Sequence, residues 1–171
     1  SARASKCVSN LRQIGQGIAL YTNDHGWAPP PVNWPEHPSN DLRTTFHYRI
    51  WEYVGYEAEH FEHPQNSQVN TSRTENIFHC PTTVNTIHPV PGGTTTGDNY
   101  SYGMNNMPNQ MQSGINQGLN VDGLDTPSQT MAIMELKTWH ADPARYRNFG
   151  LIPHKERGNF LFYDGHVASL D

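Results

Sequence analysis

The chain has 171 residues, 35% hydrophobic, 11% aromatic and 16% charged, with a formal net charge of −5 at pH 7. That length accommodates one domain, and because about half of the residues are Gly, Pro, Ser, Thr, Asn, Gln or His, coiled coils and Ala-, Glu-, Lys- and Leu-rich bundles are excluded. The modest acidity and the lack of a Lys/Arg cluster argue against nucleic acid as a partner, and no stretch reaches the roughly 18 apolar residues of a membrane span.

The first element is the clearest. In KCVSNLRQIGQGIALYTND, the residues Cys7, Leu11, Ile14, Ile18 and Tyr21 recur at alternating spacings of four and three, which places them on one face of a helix. The pattern predicts one continuous helix from Ser5 to Asp24. Gly15, beside the stripe, weakens a helix unless close packing on another backbone compensates, and a sheet is the expected neighbour. His25-Gly26 supplies a C-terminal stop, and Pro29-Pro30-Pro31 forbids continuation. The start, SARASK, has no capping box and reads as a helix cut from a longer one.

A second amphipathic segment is expected from Asn40 to Tyr53, with Leu42, Phe46, Ile50 and Tyr53 or Val54 on one side and Asp41 as a cap. Polar, irregular chain follows from Gly55 to Glu75. NIFHCP is then a short apolar run stopped by Pro81, expected as an edge strand. Thr82 to Asp98 is loop by composition, NYSYGMN has the alternation of a strand, and residues 104–127 form another excursion. Thr130 to Leu136, TMAIMEL, is apolar on both faces and fits a strand covered on both sides. In NFLFYDGHVASL, Asp164-Gly165 predicts a type I′ hairpin pairing Tyr163 with His166, Phe162 with Val167 and Leu161 with Ala168. The expected fold class is α+β: a long N-terminal helix packed on a small antiparallel sheet that ends in a C-terminal hairpin, with long irregular loops. It forms a single domain over 1–171, with the helix in 1–26, a loop-rich region in 27–127 and the C-terminal strands in 128–171.

Few residues invite chemistry. His154 and Asp164 can make an oriented imidazole–carboxylate pair, or join His166 as metal ligands, since imidazole and carboxylate suit zinc. The favoured reading is architectural: His154 fastens the chain before the hairpin to the Asp164-Gly165 turn, and no metal is expected. Cys7 and Cys80 either form one bridge in an oxidising compartment or are two buried thiols. His60-x-x-His63 and His79 read as surface histidines in a polar segment. Trp27, Trp34, Trp51 and Trp139 either cover a small core or line a sugar- or peptide-binding surface. No phosphate-binding Gly-rich loop, GxSxG or paired Ser-His signature is present, so neither an enzyme nor a cofactor is expected.

Taken together, several segments are similar to one family. CVSNLRQIGQGIALYTNDHGWAPP resembles the post-membrane half of the N-terminal helix in prepilin-type, type II secretion pseudopilin-like proteins. HKERGNFLFYDGHV, with nine residues between His154 and Asp164-Gly165, resembles the hallmark of the subfamily named for that His-to-Asp-Gly spacing. IFHCP and NYSYGMN are similar to its middle segments, and the matches cover roughly a third of the chain in the right order. The resemblance implies a pilin-like fold and a leader cleaved by a prepilin peptidase. It also implies an apolar helix that anchors the protein in the inner membrane, with this domain periplasmic or extracytoplasmic. The leader, processing site and apolar half are absent from this sequence and are expected to precede it in the full-length protein. The implied role is a structural subunit assembling through its N-terminal helix with other pseudopilin or secretion-apparatus subunits. The alternative is an extracytoplasmic solute- or carbohydrate-binding module whose pocket is lined by Trp27, Trp34 or Trp139.

Overall fold

The computed structural model describes residues 2–31, 45–55, 77–78, 80–82, 101–112, 114, 117–136, 140–142, 146–147, 154 and 157–171. Helix α1 spans Ala2–His25, and the whole expected stripe, Cys7, Leu11, Ile14, Ile18 and Tyr21, is buried along with Asn10 and Gly17. Two glycines set how closely its neighbours approach. A Cβ at Gly15 would stand 2.9 Å from Leu161 Cδ1 on the sheet, and one at Gly17 would stand 2.6 Å from Val54 Cγ1. Gly15 therefore meets the sheet as expected, whereas Gly17 admits a second neighbour. Gly26, at φ +80°, ends the helix with its N–H donated to the Thr22 carbonyl at 2.8 Å.

That second neighbour is shorter than the sequence suggests. Helix α2 covers only Phe46–Ile50, behind Thr45 at the N-cap, and a 3₁₀ turn, Glu52–Val54, follows it. Phe46 and Ile50 are buried, and Tyr53 and Val54 pack against the same core; Asp41 and Leu42 lie outside the described residues. A third helix, α3, spans Met107–Gln112 within the expected excursion.

Among the described residues the sheet has five strands: β1 Tyr102–Asn105, β2 Met131–Glu135, β3 His140–Ala141, β4 Gly158–Phe162 and β5 Val167–Leu170, in the order β3-β1-β2-β4-β5. β1, β2, β4 and β5 pair antiparallel as expected, and the two-residue β3 adds to the edge parallel to β1, Met104 opposite His140. Among its described residues NIFHCP supplies no strand: Ile77 and Phe78 sit in a turn. Its apolar residues are core filling, with Phe78 edge-on to the His47 ring at 5.2 Å, and a run so short does not distinguish a strand from a buried turn. β2 is covered on both sides as expected. A register shift between Met131 and Ile133 lets both Ala132 and Ile133 join the core beneath α1, while Met134 packs with Leu136, Phe160 and Phe162 in a separate cluster.

The C-terminal hairpin is present in a different register. Leu161 pairs with Val167 and Phe160 with Ala168, one residue away from the type I′ pairing. The Gly165 N–H donates to the Phe162 carbonyl at 2.9 Å and the Phe162 N–H to the His166 carbonyl at 3.0 Å, so Tyr163, Asp164 and Gly165 form a three-residue loop in which Gly165, at φ +88°, takes the left-handed position. Tyr163 is held outside the hairpin ladder because its N–H donates to the Thr130 carbonyl at 3.1 Å.

His47 ties α2 to the sheet. It is fully buried, with Nδ1 3.2 Å from Thr45 Oγ1 and Nε2 3.2 Å from the Tyr102 carbonyl. Burial lowers its pKa from the usual 6.5 to about 3, against the opposing effect of the Tyr102 bond. Between these values the unfolded chain binds a proton that the folded chain refuses, so stability rises with pH and falls as pH drops from 6.5 toward 3. Urea unfolding should lose up to about 1.4 kcal/mol per pH unit across this window through His47, and His47→Gln should flatten the slope.

Candidate functional site

The site begins with a charged residue inside an apolar strand. Glu135 closes β2, opposite Tyr102 of β1, and is completely buried. A buried carboxylate requires donors, and the described residues supply three hydrogen bonds. Oε2 accepts the Asn159 backbone N–H at 2.8 Å, and Oε1 accepts Asn159 Nδ2 at 3.1 Å and His154 Nε2 at 2.8 Å. Asn159 reaches Glu135 because β4 lies beside β2, and its own Oδ1 accepts the Ser169 hydroxyl from β5. The carboxylate thus gathers β2, β4, β5 and the turn that carries His154, whose N–H donates to the Arg157 carbonyl at 3.2 Å.

Above this pair lies the covalent link. Cys7, in the second turn of α1, is bonded to Cys80, with the two Cα atoms 4.9 Å apart and a sequence separation of 73. Of the two alternatives left by the sequence, bridge or buried thiols, the structure contains the bridge. Cys80 Sγ is 3.7 Å from the same His154 Nε2 that bonds Glu135, and Cys7 Sγ is 3.7 Å from Thr82 Oγ1. The Tyr102 hydroxyl donates to the Cys7 carbonyl at 3.3 Å, so β1 also fastens the start of α1. One donor atom from each of Cys7, Cys80, Glu135 and His154 lies within 4.8 Å of the other three.

Electrostatics follow from burial. Burial raises the Glu135 pKa above the ordinary carboxylate value, while the Asn159 N–H and His154 hold it down in part. Burial and then the Glu135 charge raise Tyr102 well above its usual value, and the same two causes raise Tyr146.

The structure separates the motif residues that sequence reasoning joined. His154 addresses Glu135, whereas Asp164 accepts the His166 backbone N–H at 3.1 Å and its Nδ1 at 2.6 Å. These bonds hold the Asp164 carboxyl below its usual pKa, and Phe162 stacks on the His166 ring at 4.3 Å. The expected fastening of His154 to the turn is therefore corrected: the turn is satisfied locally, and His154 fastens the chain to β2. Nor do His154, Asp164 and His166 converge as ligands. Glu135 and Asn159 were missed, although a lone acid terminating the run MAIM is a readable signal for a buried carboxylate with partners.

A cleft of about 360 Å³ lies between α1 and the hairpin, lined by Gly15, Ile18, Thr22, Val121, Leu161 and Tyr163 among others. Trp27, half exposed and packed on Gly118, does not line it. Trp51 packs against the core, and Trp34, Trp139, His60, His63 and His79 lie outside the described residues.

No family model matches the sequence, and neither a curated protein nor a solved structure is detectably similar to it.

Removing the carboxylate strands the Asn159 amide and the His154 ring donor together. Glu135→Ala should lower unfolding free energy by roughly 3 kcal/mol, and Glu135→Gln, which keeps one acceptor oxygen, by less. Chemical denaturation of the oxidised proteins measures both.

Proposed function

We propose that this chain is the extracytoplasmic domain of a pseudopilin-like structural subunit of a type II secretion or pilus-like apparatus. In this reading the full-length protein is anchored in the inner membrane by an apolar segment continuous with α1, and its role is assembly rather than catalysis. The observation that carries the reading is the division of α1 into two faces. One is buried on the sheet and fixed there by a disulfide; the other presents Arg12, Gln16, Ala19, Leu20 and Asn23 to solvent, with Leu20 51% exposed. A helix so held is a rigid rod with a free side, which is what packing of neighbouring subunits through their helices requires. The Cys7–Cys80 bridge supports an oxidising compartment. Among the described residues the cleft beside α1 is lined by Phe162 and Tyr163 but not by Trp27, so the solute-binding alternative draws little support from that tryptophan.

A photo-crosslinking amino acid placed at Leu20 of the full-length protein in its native membrane tests the reading. A ladder of crosslinked species containing this subunit or other pseudopilin-like subunits is expected. A fully monomeric product, or a mature N-terminus without an apolar segment, would contradict it.

A further inference from the structure

We propose that the dithiol form of this chain binds one tetrahedral divalent cation of the zinc type through Cys7, Cys80, Glu135 and His154, and that closing the Cys7–Cys80 bridge abolishes the site. Every copy of the chain is synthesised with two thiols, so this state precedes the bridge. It is also regained by reduction. A dithiol reductant passes two electrons and two protons to the disulfide, the S–S bond breaks, two thiols form, and the reductant closes to its own disulfide.

The donor set selects the ion. Two thiolates, one imidazole and one carboxylate match the sulfur, nitrogen and oxygen ligands of tetrahedral zinc, while calcium and magnesium require oxygen ligands. Geometry brings the set close to its working shape. Ligand distances of about 2.0 to 2.3 Å give tetrahedral edges of about 3.3 to 3.8 Å. The Cys80 Sγ to His154 Nε2 distance, 3.7 Å, is already such an edge, and the His154 Nε2 to Glu135 Oε1 distance, 2.8 Å, needs to open by only about half an ångström. Scission frees the sulfurs to part. Binding releases the two thiol protons and moves the His154 ring proton from Nε2 to Nδ1, leaving Nε2 as a ligand.

The surroundings resemble the outer shell of a metal site. Asn159 orients the Glu135 carboxylate through two hydrogen bonds, and the Tyr102 hydroxyl holds the Cys7 backbone. Three of the four ligand residues are buried and His154 is nearly so, which excludes competing water. In the oxidised chain the sulfurs are neutral and bonded to each other, so two of the four ligands are lost.

Cobalt(II) substitution tests this. The chain, reduced with a phosphine under argon and titrated with Co²⁺, should take up one equivalent and develop thiolate-to-cobalt charge-transfer bands together with the visible bands of tetrahedral cobalt; Zn²⁺ should then bleach both. The oxidised chain should develop neither. His154→Ala should weaken binding tenfold or more, whereas Asp164→Ala, which alters the motif without touching the cluster, should leave it unchanged. If the reduced chain loses structure, circular dichroism should show that Zn²⁺ restores it. Thiolate bands insensitive to His154→Ala, bands of equal strength in the oxidised chain, no thiolate bands on reduction, or a reduced chain that Zn²⁺ cannot refold would each overturn the proposal.

Discussion

A carboxylate with no exposure to water dictates much of this molecule's architecture. Glu135 must find its donors inside the protein, and the three hydrogen bonds it accepts come from β4 and from the turn that precedes it. The positions of β4 and His154 relative to β2 are therefore specified by polar geometry as well as by apolar contact. Hydrophobic burial alone tolerates sliding; a carboxylate clasped by a backbone N–H, an amide and an imidazole does not. The register of β2 against β4, which shifts between Met131 and Ile133, is compatible with Glu135 reaching Asn159 on one side while Ala132 and Ile133 fill the space under α1 on the other.

The second constraint is covalent and lies against the first. Linking Cys7 to Cys80 closes a loop of 73 residues, which in the chain-entropy view removes about 4 kcal/mol of freedom from the unfolded chain. It also decides which end of α1 is fixed. The helix is pinned near its start by the bridge and the Tyr102 hydroxyl, and near its middle by the approach of Gly15 to Leu161 and Gly17 to Val54. Its outer face is left to solvent. Disulfide, imidazole and carboxylate thus form one cluster where α1 meets the sheet, which gives His154 a structural place there rather than at the hairpin tip.

Much of the fold was legible because it rests on periodicity. The stripe from Cys7 to Tyr21 is buried without exception, and the β1, β2 and hairpin segments are strands, since alternation and apolar runs report burial directly. What was not legible depends on partners distant in sequence. Asp164-Gly165 spells a two-residue turn, but Tyr163 donates to Thr130 and the loop widens to three residues. Ile77 and Phe78 are apolar because the core needs filling beside His47, which a six-residue window does not distinguish from a strand. β3 pairs parallel to β1, and nothing local in a two-residue strand encodes that. The site was half legible. Both cysteines and His154 stood out as residue types, but the spacing from His154 to Asp164 suggested a pair between those two, and the actual partner sits 19 residues upstream at the end of an apolar run.

His154 belongs to Glu135 and not to Asp164. Unfolding free energies from double-mutant cycles separate the two pairings most directly. For His154→Ala with Glu135→Ala, a coupling of about 1 to 2 kcal/mol is expected, and for His154→Ala with Asp164→Ala, additivity within about 0.5 kcal/mol. Additivity in the first cycle together with coupling in the second would contradict it.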